Sequence, residues 1–347
     1  MTTIPPPLRW GILSTGLIAA RFTRAFTSTT HGRVVAVGSR TAAAAERFAA
    51  EHSIGRAYGS YESLLADPEV QAVYVATPHP QHLQWALAAA AAGKHILCEK
   101  PIAMNLAQTT RMVAAARQHD VLLMEAFMYR CHPQTARVVE LIRDGALGRV
   151  GLVQATFSFN AAFNPASRLW NNALGGGGIL DVGGYTVSWA RLVAGAAAGK
   201  SFLNPVRVTG AAELHPETQV DAYAAATLSF PNGVLGQVAC GVGLRQESVV
   251  RIYGTEGELL LTTPYVPGYE SERPQVLLRR EGRAPETIVV AADRDLYAYE
   301  ADAFAAALAA GERDVPAMTV ADTLGNMAVL DAWRAEGGVR YAQDCDD

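Results

Sequence analysis

The chain has 347 residues; half are hydrophobic, 18% are charged, and the formal net charge is -4. That length exceeds one ordinary core and suits two domains of roughly 100 to 200 residues each. No basic stripe follows a phosphate backbone, no run of about 18 apolar residues spans a bilayer, and no charged leader precedes an apolar run, so nucleic-acid and membrane partners are excluded. A cytoplasmic location is expected. Cys98, Cys131, Cys240 and Cys345 lie far apart with no C-x-x-C pair, so the reading is reduced thiols, no disulfide and no metal site.

From Arg9 to Glu125 the runs LRWGIL, RVVAVGS, VQAVYVAT, KHILCE and VLLMEA read as buried strands separated by Ala-rich helices, clearest over 79–92 and 105–119. Continuous apolar strands with helical intervals predict a parallel sheet covered on both faces, because right-handed crossovers need a helix between neighbours. The run ALAAAAAG stops at Gly93, where a helix end favours a left-handed residue. After a helix over 132–144 the pattern changes to long apolar/polar alternation over 151–159 and 218–241, with further strands at 248–254, 257–262, 275–280 and 286–291. Alternation predicts a sheet with one open face. A loop over 264–274, closing helices over 297–312 and 319–335, and a frayed DCDD tail complete the chain. The fold class is therefore α/β: a Rossmann doubly wound parallel sheet in 1–128, then an α+β domain in 129–340 with a large open, mostly antiparallel sheet.

The first strand runs into Gly11-Ile-Leu-Ser14-Thr15-Gly16-Leu17-Ile18, the strand-turn-helix context in which a glycine fingerprint points to a dinucleotide. Gly16 lets backbone approach a pyrophosphate at a helix N-terminus, where free N–H groups favour anions. Ser14 replaces the usual first glycine and is tolerable if its φ is negative. An NAD site usually has a carboxylate at the end of the second strand for the ribose 2′-hydroxyl, but this chain has Ser39-Arg40-Thr41 there. A guanidinium and hydroxyls suit a 2′-phosphate, so NADP is expected over NAD. The alternative is that Arg40 is a plain exposed helix-start residue.

Thr77 and Pro78 end one strand and Glu99 and Lys100 end the next, both at the carboxyl edge where open α/β sheets bind ligands. Lys100 is a candidate donor to a substrate oxygen, with a solvated surface pair as the alternative. His82 either contacts the nicotinamide ribose or is a structural helix-start histidine; His132, before Pro133, reads as a local cap. In the second half, four glycines lead from Gly175 into Asp181 and Tyr185, four residues apart and so on one helix face. A tyrosine, with an ordinary pKa near 10, serves as a base near neutrality only where a cation such as Lys100 stabilises its phenolate. Arg168 and Trp170 either reach the cofactor or substrate or anchor the loop.

The stretches Gly11–Gly16, Cys98-Glu-Lys-Pro101 and Gly176-Gly-Gly-Ile-Leu-Asp181-Val-Gly-Gly-Tyr185 together resemble the glucose-fructose oxidoreductase/inositol dehydrogenase/MocA family. Within it, Arg9-Trp-Gly, Ala57-Tyr-Gly-Ser-Tyr61, His79-Pro-Gln-His82, Leu123-Met-Glu-Ala126 and Tyr299-Glu-Ala301 are similar to the dimeric dihydrodiol dehydrogenase and NADP-linked D-xylose dehydrogenase branch. The resemblance implies homodimerisation through the C-terminal sheet, Lys100 as the family's catalytic lysine and Tyr185 as its acid/base, in a cleft between the domains. On these residues we expect hydride transfer between nicotinamide and a sugar or cyclic polyol, with Asp181 holding the substrate or the tyrosine. Gly183-Gly184 departs from the bulkier residue common before that tyrosine. Two rivals stand beside this reading: a keto-sugar reductase, and a non-catalytic NAD(P)-binding sensor, which need not keep Lys100, Asp181 and Tyr185.

Overall fold

The computed structural model describes residues 7–268 and 273–345, so residues 269–272 of the expected loop and the last two of the expected tail lie outside the described residues. The chain divides into two compact units: Met1–Ala103, Ala107–Cys131 and Asp293–Thr323 form one, and Met104–Leu106, His132–Ala292 and Leu324–Asp347 the other.

In the first unit β1 (Leu8–Leu13), β2 (Gly32–Gly38), β3 (Arg56–Tyr58), β4 (Ala72–Val75), β5 (His95–Glu99) and β6 (Leu123–Ala126) form one sheet. Its order, β3-β2-β1-β4-β5-β6, with every neighbour pair parallel, is the doubly wound arrangement in which ligands bind where the strand order reverses. The helices are α1 (Leu17–Ala25), α2 (Ala42–His52), α3 (Tyr61–Leu65), α4 (His82–Ala91) and α5 (Leu106–Gln118). Strands β4, β5 and β6 are buried at nearly every position, which is why they read as unbroken apolar runs. Gly11 packs closely on α3: a Cβ there would lie 2.8 Å from the end of the Leu64 side chain.

In the second unit α6 (Pro133–Arg143) precedes β7 (Val150–Ser158), and α7 (Gly184–Ala196) precedes seven more strands. These are β8 (Arg207–Leu214), β9 (Asp221–Ser229), β10 (Leu235–Gly241), β11 (Val249–Gly254), β12 (Gly257–Leu261), β13 (Gln275–Arg280) and β14 (Glu286–Val289). The sheet runs β14-β13-β12-β11-β7-β10-β9-β8 and is antiparallel except for the β7–β10 pair. In β9, Ala222, Ala224, Ala226 and Leu228 are buried while Tyr223, Ala225 and Thr227 face out, the alternation of a one-sided sheet. α7 is buried along its whole length and covers β7 and β10. The open face carries a groove of about 690 Å³ lined by Thr156, Thr209, Ala225, Thr227, Gln237 and Arg251 among others.

The helices α8 (Leu296–Ala309) and α9 (Val320–Glu336) follow. α8 was expected to close the second domain, but it packs in the first unit. Phe304 lies 5.1 Å from Trp10 between ring centroids, and Asp302 accepts hydrogen bonds from the backbone N–H groups of Thr30 and His31 at 3.1 and 3.0 Å. Long-range packing of Trp10 decides this, and no local pattern carries it.

Candidate active site

The glycine turn between β1 and α1 has Gly16 as the helix cap, with no side-chain cap bond, and Leu17 88% exposed at the first helical position. A Cβ at Gly16 would meet nothing nearer than Ser14 Oγ at 3.7 Å, so the approach is open. Ser14 has φ 117°, in the region that favours glycine, contrary to the negative φ that would make serine tolerable. Its hydroxyl compensates: Oγ accepts from Gly16 N at 3.3 Å and also bonds the Tyr61 hydroxyl. At the end of β2 Ser39 is buried, its Oγ 3.4 Å from Thr15 Oγ, and Arg40 is exposed. Thr41 has a local duty, accepting from Ala44 N at 3.3 Å as the cap of α2. An exposed guanidinium, hydroxyls and no carboxylate fit a dinucleotide that carries a 2′-phosphate.

At the carboxyl edge of the same sheet His82 is fully buried. Its Nε2 lies 2.7 Å from Thr77 O and its Nδ1 3.0 Å from Pro101 O. Both ring nitrogens thus lie within hydrogen-bond distance of carbonyls that flank Pro78 and Lys100, and the one N–H of the neutral ring can donate to either. Burial holds its pKa below the ordinary histidine value, against the pull of those carbonyls. Glu99 is buried, takes a short hydrogen bond from the Tyr74 hydroxyl, and accepts from Lys100 N at 3.2 Å. Lys100 itself is half-buried, and its bond to Pro101 is cis.

In the second unit the glycines lead into a π-helical turn, Ile179–Gly183, that continues as α7. Asp181 lies within that turn and Tyr185 two residues beyond it, in the first turn of α7. Such turns recur at functional sites. Arg168 donates to Asp181 Oδ1 at 2.7 Å. Trp170 is buried and edge-on to Phe163 and His215. Tyr185 is 4% exposed and edge-on to both Phe157 (5.4 Å) and Tyr265 (5.7 Å), which stack on each other at 4.4 Å. Gly183 is closely packed: a Cβ there would lie 3.1 Å from Cys240 Sγ and 3.2 Å from the Trp333 ring.

Sequence reasoning missed Tyr61, Phe157, Tyr265 and Asp221. Phe157 sits in a strand that the alternation marks, but alternation alone does not show which apolar residue lines a site. His132 does cap α6, its Nδ1 accepting from Gln134 N at 3.0 Å. Among the described residues no helix is long and apolar enough to cross a membrane, and no cluster of His, Cys, Asp and Glu is arranged to hold a metal ion.

Residues 8–127 match an oxidoreductase family with an NAD-binding Rossmann fold, and residues 135–260 match a GFO/IDH/MocA C-terminal domain. The chain belongs to this GFO/IDH/MocA oxidoreductase family. It is 34% identical to the trans-1,2-dihydrobenzene-1,2-diol dehydrogenase of Mus musculus, over 97% of this chain and 99% of that one. The enzyme of the same name from Danio rerio is 36% identical with the same coverage. A 3-ketoreductase from Actinomadura kijaniata, solved with TDP-benzene and NADP, superposes with a TM-score of 0.82 at 29% identity, covering 95% of this chain and 98% of that one.

Proposed function

We propose that this chain is an NADP-dependent oxidoreductase that transfers hydride between nicotinamide and a C–OH or C=O of a sugar or cyclic polyol, aldose- or dihydrodiol-like, with Tyr185 as acid/base and Lys100 assisting. The observation that carries the reading is Tyr185 at the start of α7, four residues after the Arg168-paired Asp181 of a π-helical turn, with its ring packed edge-on against Phe157 and Tyr265. Bound NADP supplies the hydride donor or acceptor. Gly16, Leu17 and Ile18 offer backbone to the pyrophosphate, Ser14 and Thr15 shape that turn, and Ser39 and Arg40 take the 2′-phosphate. Thr77, Pro78, Glu99 and Lys100 line the edge beyond. Tyr185 takes the hydroxyl proton in oxidation and returns it in reduction; Asp181 orients substrate or tyrosine; the Phe157–Tyr265 stack excludes water beside the phenol. Solved forms of the Actinomadura kijaniata enzyme include one with a tyrosine changed to phenylalanine and one with a lysine changed to alanine, which supports looking to these residue types.

The same 3-ketoreductase favours a second reading, a keto-sugar reductase working in the opposite direction at the same residues. The open sheet face, with Tyr223 and Leu235 exposed on it, supports a homodimer formed through that sheet, to be checked by light scattering. A cytoplasmic location remains part of the proposal. An NADP-coupled screen of aldoses, inositols, anhydrosugars, dihydrodiols and keto-sugars tests the function, with turnover of at least one class expected. No NADP(H) turnover with any of them would favour the sensor reading.

A further inference from the structure

Asp221, the first residue of β9, is fully buried and faces the start of the helix that carries Tyr185. Its Oδ2 accepts from Ile179 N at 2.7 Å, and its Oδ1 has no hydrogen-bond partner among the described residues. The glycines are cut to fit it. Gly177 has φ 105°, and a Cβ there would overlap Oδ1; a Cβ at Gly178 would lie 3.3 Å from Oδ2 and 2.9 Å from Gly241 Cα. From the other side the Tyr341 hydroxyl donates to Gly176 O at 2.6 Å, so the turn is clamped at both ends.

We propose that Asp221 is a positioning residue for Tyr185, fixing the helix start through the Ile179 amide, and that its ionisation sets how firmly that start is held. This rests on the reading of Tyr185 as the acid/base. Burial raises the Asp221 carboxyl to about 7, against the bonds from Ile179 and Gly178 N–H groups. The groups facing it are the Arg334 guanidinium of α9, itself paired with Asp331 and Asp344, the Tyr341 hydroxyl and the Cys240 thiol of β10; Asp181, paired with Arg168, acts on the same thiol. No full counter-charge is therefore committed to Asp221. The carboxylate that forms as pH rises makes a charge-assisted bond to the helix start, stronger than that of the neutral acid. Its folded-state pKa lies above the unfolded value, so stability falls as pH rises through about 7 while the start of the Tyr185 helix tightens.

The test follows the Ile179 amide proton by NMR between mildly acidic and mildly alkaline pH. In the wild-type chain it moves downfield with a midpoint near neutrality, and in Asp221→Asn it stays flat. The same variant loses kcat on the order of tenfold, with an altered pH profile and unchanged NADPH affinity. Tyr185→Phe keeps the amide titration, so persistent turnover in that variant would count against the acid/base reading alone. A flat Ile179 amide in the wild type, or wild-type kcat and pH profile in Asp221→Asn, overturns the proposal. Should Asp221→Asn fail to fold, the wild-type titration decides by itself.

Discussion

The Arg168 guanidinium donates to Asp181 Oδ1 at 2.7 Å, joining a half-exposed arginine to a carboxylate whose side chain is only 5% accessible. A hydrogen bond between charged groups contributes about 1.5–3 kcal/mol, and exposure of the arginine places this one at the low end. Arg168→Met is expected to lower kcat/KM about tenfold by leaving a buried carboxylate short of a donor, and Arg168→Lys to recover part of it. Steady-state kinetics checks this; unchanged kcat/KM in Arg168→Met removes Arg168 from the site.

The proposed reading places cofactor choice at the end of β2, where Ser39 is buried and Arg40 is exposed. Arg40→Ala removes a charge-assisted bond to the 2′-phosphate, so NADPH affinity falls on the order of tenfold while NADH affinity stays within about twofold. Fluorescence quenching with both nucleotides measures the difference, and a wild-type preference for NADH contradicts the assignment.

His132 gives a pH prediction for stability. It is buried, its Nδ1 is an acceptor, and burial lowers its pKa to about 4, against about 6.5 in an unfolded chain. Between those values the unfolded chain binds the additional proton, so the contribution is full above about pH 6.5 and is lost as pH falls toward 4. The loss is on the order of 2–3 kcal/mol. His132→Asn keeps a capping acceptor and is expected to flatten the acid side of a Tm-against-pH curve. An equally steep acid limb in that variant assigns the loss to other groups.

The first sheet was legible because parallel strands covered on both faces must be apolar throughout, and β1, β2, β4, β5 and β6 all fall on runs that read as strands. The stretch over 218–241 was legible as sheet, but it divides into β9 and β10. β8 escaped because RVTGAAEL alternates between small residues with little contrast in hydropathy. The glycine turn with Asp181 and Tyr185 was visible as a motif. Its π-helical form and the Asp221 beneath it were not, since one aspartate about 40 residues downstream of the turn carries no local signal. The positive φ of Ser14 was equally hidden, because the Tyr61 contact that accompanies it is tertiary.

Turnover of Tyr185→Phe tests the central claim most directly. The substitution removes one oxygen from a side chain that packs against Phe157 and Tyr265 by its ring, so the fold and NADPH binding are expected to persist. With a substrate found in the NADP-coupled screen, kcat should fall by a factor on the order of 10² to 10⁴, the contribution of a positioned acid/base. Near-wild-type kcat at unchanged NADPH affinity would contradict the account.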